Sequence, residues 1–265
     1  MPDPNGRALD HRGGLDPTPL DLDVVTAFDR IVCLVDGSAA GFDALRLTRT
    51  LAAPWTRIVA IVPVDVAAAS TARCQTLSLT AAWQRQAETI RTRAAAGLRN
   101  SWGYARVIEG QRIATLVTAA EEEGGTMIVV AGSSLRRGDA RRLLLRTSSS
   151  ILISREGMNV ERLLATEGEP TGLVESLAAR LQARVMLLGP ACRTARAIHS
   201  SSRPGDLIVI DADCHPRRWP RSRAESVAAR APASVLLFRP HPAERGDHTA
   251  LVDGSRPLRG RTFCR

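Results

Sequence analysis

Hydrophobic and polar positions form two alternating patterns along the first half of the chain. Short continuous apolar runs, typical of parallel strands buried on both faces, lie at 31–35, 57–62, 104–108, 127–131 and 150–154. Between them, apolar residues recur every three or four positions, as in Ile113, Leu116, Val117 and Ala120, which predicts amphipathic helices, this one ending at Gly124-Gly125. This alternation predicts a parallel sheet with helices on both faces and right-handed crossovers.

The same order of elements returns in the second half. Apolar runs at 163–166, 184–188, 206–210 and 234–238 predict further strands with helices between them. This half lacks a counterpart of the strand at 104–108 and of the long helix that carries Trp83, which we predict to lie in the core. We therefore predict an α/β fold with two tandem open parallel-sheet, Rossmann-like domains, of which the second copy is smaller.

The ends of the chain differ from its middle. Residues 1–24 and 241–265 contain several Pro, Gly and charged residues and show no hydrophobic periodicity, so we expect a disordered N-terminal tail and a disordered basic C-terminal tail. The first domain is expected at 25–156 and the second at 157–240. Each is long enough to enclose a core in a chain that is 44% hydrophobic.

Composition narrows the protein class. No apolar run approaches the ~20 residues that cross a bilayer, so we expect a cytoplasmic protein without a membrane partner. The five cysteines are scattered and never spaced as CxxC, which favours reduced thiols over a disulfide framework or a zinc ribbon. The net charge is +9 and every basic residue is Arg, which favours polyanionic partners.

The arginines are clustered in two segments. One contains Arg136, Arg137, Arg141, Arg142 and Arg146 with Asp139 as the opposing charge; the other contains Arg217, Arg218, Arg221 and Arg223. Contact with phosphate and a solvated surface are both open interpretations of these clusters. Aromatic residues make up 3% of the chain, too few for a stacking platform, which argues against a nucleic-acid partner.

Two short turns follow predicted strands and are candidate ligand sites. Asp36-Gly37-Ser38 follows the first strand, and Ser38 is expected to cap the next helix. Gly132-Ser133-Ser134 follows the strand at 127–131, and such a small-residue turn could bring backbone amides close to an anion. The alternatives are an Asp36 that only supports the cap and a plain strand-to-helix turn.

Signals for turnover chemistry are weak. The sequence has no GxSxG elbow and no paired Cys and His signature of a nucleophile. Asp211, Asp213, Cys214 and His215 are crowded on one short stretch without a distant ligand, which argues against a metal site. We therefore expect no enzyme activity and no metal.

Several motifs resemble the universal stress protein family. They are ArgIleValCysLeuValAspGlySer at 30–38, IleGluGly at 108–110 and ThrMetIleValValAlaGlySerSer at 126–134, followed in the second half by AspLeuIleVal at 206–209 and the closing segment at 222–238. The resemblance covers about residues 29–240 as two copies. It implies an open five-stranded parallel sheet that often pairs through its last strand, and a protein of the stress response.

The resemblance also implies a nucleotide site, since some members bind ATP at the carboxyl end of the sheet. It places Asp36 near the nucleoside, next to the backbone of Val62 and Val64. The family's phosphate loop reads Gly, two residues, Gly, nine residues, Gly, then Ser or Thr. Gly132 matches its first position, whereas Leu135 replaces the second glycine.

The end of that loop can be aligned in two ways. One alignment places Arg146-Thr147 at the final pair; the other, which we prefer because it leaves a fifth strand at 150–154, places Gly138-Asp139 near it. Under either, two of three glycines are lost, and Arg136 and Arg137 would have to contact phosphate oxygens directly.

The second copy has Ala212-Asp213 where the first has Gly132-Ser133, and Asp211 and Asp213 would repel an anion. We expect this copy to be structural and to pair with the first. The predicted function is a regulatory, non-catalytic binding protein with an adenine nucleotide such as ATP as its cofactor. Its other partners would be a homodimer copy or another protein. The alternatives are an ATP-binding hydrolase of the same superfamily and an arginine-rich binder of polyanions.

Overall fold

The structure is a computed structural model that describes residues 28–64, 77–136, 138–155, 159–166, 171–189, 194–212 and 221–239. Both expected tails lie outside the described residues, as do Arg137, Asp213, Cys214, His215, Arg217 and Arg218.

Nine strands and seven α-helices make up the described part of the chain. The strands are β1 (Arg30–Leu34), β2 (Arg57–Val64), β3 (Gly103–Glu109), β4 (Met127–Ala131), β5 (Ser150–Ser154), β6 (Arg162–Thr166), β7 (Arg184–Leu188), β8 (Asp206–Asp211) and β9 (Ser234–Phe238). The helices are α1 (Ala39–Leu51), α2 (Leu77–Gly97), α3 (Arg112–Glu123), α4 (Asp139–Arg146), α5 (Thr171–Leu181), α6 (Ala195–Ser201) and α7 (Arg221–Arg230). The predicted α/β fold class is thereby confirmed.

The strands form one sheet in the order β3-β2-β1-β4-β5-β9-β8-β6-β7. Neighbours are parallel except at β5 and β9, which pair antiparallel through Ile151–Leu237, Leu152–Leu236 and Ile153–Val235. The sequence predicted two parallel sheets, and the structure joins them at the last strand of each. The chain thus forms a first half, β1 to β5, and a second half, β6 to β9.

The two halves of the sheet follow the same strand order from the junction outwards. β5, β4, β1 and β2 on one side correspond to β9, β8, β6 and β7 on the other. Within the described residues, β3 and α2 have no counterpart in the second half, as expected from the sequence. β7 is therefore an edge strand. The division into two domains near residue 156 stays a prediction.

The core lies in two layers, one on each face of the sheet. On one face the strands pack against α1, α2 and α5, through residues such as Leu45, Ala94 and Leu177. On the other face they pack against α3, α4, α6 and α7, through residues such as Leu116 and Val227. Successive strand residues enter opposite layers, which explains why the strands are continuously apolar rather than alternating.

Local signals in the sequence mark two of the helix ends. The Ser38 hydroxyl accepts a hydrogen bond from the Gly41 amide at 3.0 Å and begins α1, as predicted. Gly124, with φ of 61°, ends α3 in the left-handed conformation, which is also as predicted. Trp83, which the helical spacing assigned to the core, is partly exposed on α2, while Ala87 and Ala94 are buried.

Candidate functional site

The strand order reverses between β1 and β4, and the crevice expected at such a reversal lies at the carboxyl ends of these two neighbouring strands. Ligands of open α/β sheets bind at such switch points. Asp36 follows β1, and the 3-10 turn Gly132–Ser134 follows β4. Both turns singled out in the sequence therefore lie at this one crevice, which we call the switch crevice.

Asp36 is held in the switch crevice by hydrogen bonds to both carboxylate oxygens. Its Oδ1 accepts from the Ser38 hydroxyl at 2.6 Å and from the Ser38 amide at 3.0 Å. Its Oδ2 accepts from the Ser134 hydroxyl at 2.6 Å, which links the turn after β1 to the turn after β4. Burial opposes ionisation of this carboxyl, but the hydrogen bonds from Ser134 and Ser38 and the nearby Arg112 together lower the pKa of Asp36.

Arg112 is a member of this group that the sequence did not single out. Its Nη1 lies 3.8 Å from Asp36 Oδ2, and the residue begins α3. Since α3 follows β3, its first turn lies at the same carboxyl edge of the sheet as Asp36. Its place in the first turn of the helix after β3 could have identified Arg112 from the sequence. The chain contains so many arginines that this one did not stand out.

Gly37 and the two valines serve packing at the edge of the crevice. Gly37 has a φ of 86°, which favours glycine, and a Cβ there would lie 2.5 Å from Ile90 Cδ1 of α2. The absence of a side chain at Gly37 therefore allows α2 to pack over the turn. Val62 and Val64 are 1% and 7% exposed and pack with Ala87 of α2. The Val64 carbonyl accepts from the Gly110 amide. Their side chains thus face the core, although their backbone lies at the carboxyl edge.

Gly132 adjoins an arginine from the end of β5. A Cβ on Gly132 would lie 2.6 Å from Arg155 Nη1 and 2.8 Å from Arg155 Cζ, so the guanidinium rests directly on this glycine. Arg155 is partly buried, and its Nη2 donates to the Ala228 and Ala229 carbonyls of α7 at 2.8 and 3.2 Å. Arg155 therefore spans the two halves of the molecule, a role that the sequence did not indicate.

A cleft of about 620 Å³ opens beside Gly132 between α4 and α7. We call it the junction cleft, because the first and second halves both line it. Its residues are Gly132, Leu135, Arg136, Gly138, Ala140, Arg141, Arg155, Glu225, Ser226, Ala228, Ala229 and Arg230. Three predicted site residues, Gly132, Arg136 and Gly138, thus share one cleft, although Asp36 does not line it.

The loop between the turn and α4 is shaped by Asp139. Its Oδ2 accepts from the Arg136 amide at 2.8 Å, and its Oδ1 accepts from Arg142 Nη1 at 3.2 Å. Gly138, with φ of 88°, precedes the helix and is exposed, as is Ser133. α4 begins at Asp139 and β5 covers 150–154, so the predicted fifth strand is confirmed, while the alignment of the phosphate loop stays a prediction.

A second cleft, of about 450 Å³, lies on the other side of α4 near the first turn of α3. We call it the arginine cleft, since Arg112, Arg136, Arg142 and Arg146 line it together with Asp139. The first arginine cluster of the sequence is therefore divided between two clefts. In the second half, 213–220 lie outside the described residues, and so do two of the second cluster's four arginines, Arg217 and Arg218.

The described residues contain no metal-binding cluster, no membrane-spanning helix and no reactive thiol. They contain no group of three His, Cys, Asp or Glu side chains that could hold a metal, and none of their helices is long and apolar enough to cross a membrane. Cys33 is fully buried in β1, and burial raises the pKa of its thiol to about 12, although a hydrogen bond with Thr48 acts in the opposite direction. Its thiol is therefore unreactive near neutral pH.

Comparison with known proteins finds similarity at the level of the fold. The sequence matches no protein-family model and no curated protein. A universal stress protein from Archaeoglobus fulgidus DSM 4304 is 11% identical with a TM-score of 0.58, and the match covers 82% of this chain and 98% of that chain. A structure assigned to the same family from Pseudomonas aeruginosa UCBPP-PA14 is 14% identical with a TM-score of 0.51, covering 82% and 95%. The chain thus has the universal stress protein fold.

Proposed function

We propose that this chain is a regulatory binding protein of the stress response that holds an adenine nucleotide at the switch crevice and does not turn it over. The observation that carries the proposal is the fixed carboxylate of Asp36, bonded to Ser38 on one oxygen and to Ser134 on the other. The fold and the motifs that resemble universal stress proteins supply the class of ligand.

Asp36 keeps capacity for a ligand. A carboxylate has about four lone-pair positions, of which the Ser38 hydroxyl, the Ser38 amide and the Ser134 hydroxyl use three. Its side chain is 17% exposed, so a hydroxyl group can reach it from the crevice. A ribose hydroxyl donating to this carboxylate fits both the remaining acceptor and its negative charge.

The same geometry argues against catalysis. A general base works best when its pKa lies near the operating pH. Hydrogen bonds lower the pKa of Asp36 below its ordinary value, against the effect of burial, which makes the carboxylate a weak base. No His or Cys lines either cleft among the described residues. Binding without turnover is the function that this chemistry supports best.

Calorimetric titration with adenosine and with ATP, each with and without magnesium, tests the proposal. We expect Asp36→Asn to weaken both ligands by about 10- to 100-fold, because a hydrogen bond to a charged group is lost. Asp29→Asn, an exposed carboxylate outside the crevice, is the matched control and should bind like wild type. If Asp36→Asn binds adenosine and ATP as tightly as wild type, the proposal is wrong. Steady phosphate release from ATP would replace it with the hydrolase alternative.

The arginine cleft favours polyanion binding as a second candidate function. Arg112, Arg136, Arg142 and Arg146 face one space of about 450 Å³, with Asp139 as the lining carboxylate. A polyanion bound there would release counterions, so its affinity should fall steeply with salt. Affinity for a polyphosphate that stays flat between low and physiological salt would dismiss this candidate.

A further inference from the structure

The Arg155 guanidinium is bonded to backbone carbonyls rather than to a carboxylate of the described residues. Its Nη2 uses two neutral carbonyls of α7, its Nε is buried without an acceptor, and no carboxylate of the described residues lies within ion-pair distance. Burial also lowers the pKa of this guanidinium. A partly buried guanidinium that meets no described carboxylate can bind an anion that approaches from an adjoining cleft, because the anion would balance its charge.

The surroundings of Arg155 strengthen this interpretation. Arg136, Arg141 and Arg230 line the same junction cleft, opposed by Glu225 as the lining carboxylate. The cleft therefore presents an excess of positive charge in a concave space of about 620 Å³, large enough for phosphate groups. Guanidinium groups match phosphate oxygens in geometry as well as in charge.

The junction cleft also adjoins the switch crevice. The turn Gly132–Ser134 connects them, because Ser134 is bonded to Asp36 while Gly132 lies under Arg155. A ligand that lies across this three-residue turn can therefore contact the Asp36 carboxylate at one end and the guanidinium at the other.

We propose that the junction cleft binds the phosphate groups of the nucleotide through the Arg155 guanidinium, with Arg141 and Arg136 as further contacts. This inference rests on the proposed function for the identity of the nucleoside. It assigns the phosphate contacts to arginine side chains from the end of β5 and from α4, in place of the backbone amides of a glycine-rich loop. Since Arg155 is also bonded to α7, the bound phosphates would connect the two halves.

Titration with pyrophosphate, adenosine and ATP tests this assignment. Wild type should bind ATP more tightly than adenosine. Arg155→Gln should weaken ATP and pyrophosphate by about 10-fold or more and leave adenosine unchanged, because only the phosphate contact is lost. Arg155→Lys should restore part of the ATP affinity through its charge. Arg141→Ala, at an exposed position that leaves the fold intact, should weaken ATP to a smaller extent.

Arg49→Ala is the matched control, since this exposed arginine lies in the last turn of α1, at the opposite edge of the sheet from the cleft. It should leave all three affinities unchanged. A merely structural role, in which Arg155 holds the end of α7, predicts that Arg155→Gln lowers the melting temperature while the ratio of ATP to adenosine affinity stays at its wild-type value. That result would overturn the assignment.

The three ligands separate the two proposals. Pyrophosphate binding that depends on Arg155, without adenosine binding, would support the cleft and reject the nucleotide function. Adenosine binding that depends on Asp36, with no gain for ATP and no binding of pyrophosphate, would support the nucleoside site and reject the cleft. Failure of all three ligands to bind would reject both.

Discussion

At the scale of single residues, two glycines make room for the protein's own side chains. Gly37 admits Ile90 and Gly132 admits Arg155, each at a distance that a Cβ would block. In the sequence both glycines stand in turns that suggest a close approach to a ligand. The local sequence cannot distinguish the two cases, because the approaching side chain comes from a distant segment.

The hydrogen bonds of the Asp36 carboxylate make the stability of the protein depend on pH. The pKa of Asp36 in the folded protein is below its ordinary 3.8, so folding favours the ionised carboxylate. Its contribution is therefore complete above pH 3.8 and is lost as the pH falls through the lower folded value. We expect Asp36→Asn to lower the free energy of unfolding by about 1 to 3 kcal/mol at pH 7.

Urea denaturation at several pH values checks this expectation. The difference between wild type and Asp36→Asn should narrow as the pH falls from 3.8 through the lower folded value, because the carboxyl becomes neutral first in the unfolded chain and then in the folded protein. Asp29→Asn, the exposed control, should change stability by less than about 0.5 kcal/mol. A difference that stays constant down to the lowest pH would show that the carboxylate charge does not contribute.

At the scale of elements, β7 is the least protected strand. Its central residues Val185, Met186 and Leu187 are 41%, 42% and 69% exposed, whereas β2, the strand in the corresponding place of the first half, is almost completely buried. β3 and α2 cover β2 in the first half, and the described residues of the second half contain no counterpart of either. An exposed apolar edge strand favours association.

Charging β7 should therefore reduce hydrophobic surface without loss of stability. We expect the double substitution Met186→Lys and Leu187→Lys to lower binding of a hydrophobic dye and to suppress concentration-dependent association, measured by light scattering. The free energy of unfolding should change by no more than about 1 kcal/mol, since both side chains are exposed.

Leu145→Lys provides the comparison, because Leu145 is an exposed leucine, at 56%, outside β7. It should leave dye binding and association near wild-type values. If the β7 variant unfolds instead, or binds the dye as wild type does, then these side chains are covered in solution.

At the scale of the whole molecule, the junction of β5 and β9 makes one sheet out of two similar halves. Leu152 and Leu236 face each other across it and are fully buried. One core layer runs through both halves, and the rings of Phe28 and Phe238 meet edge to face with centroids 6.3 Å apart. A shared core of this kind couples the stability of the two halves.

This coupling predicts a single unfolding transition. Substitution of Trp219 by Phe leaves tryptophans in the first half alone, at Trp55, Trp83 and Trp102. Tryptophan fluorescence of this variant therefore reports on unfolding of the first half. Leu236→Ala in β9 should cost about 2 to 5 kcal/mol, as for other buried leucines. Tryptophan fluorescence and far-ultraviolet circular dichroism should report the same lowered midpoint.

Leu187→Ala in β7 is the control, since this leucine is exposed and should leave the midpoint unchanged within error. Independent halves would give a different result for Leu236→Ala. The tryptophan transition would keep its original midpoint while the circular dichroism signal separated into two steps.

The sequence determined the elements, their order and the fold class. Continuous apolar runs identified the nine strands, β4 and β5 with the same bounds as in the structure. Ser38 and Gly124 marked helix ends, because capping and left-handed turns depend on neighbouring residues. The sequence also indicated Asp36 and the turn at Gly132 as the ends of strands that meet at one edge.

The tertiary structure alone decided what surrounds those residues. Arg155 meets Gly132 across 23 positions of sequence, Ser134 meets Asp36 across 98, and α7 reaches the junction cleft from the second half. These contacts arise from the order of the strands and from the junction of β5 and β9. Neither leaves a periodic trace in the sequence, because hydrophobic patterning records whether a residue is buried and not which distant residue it meets.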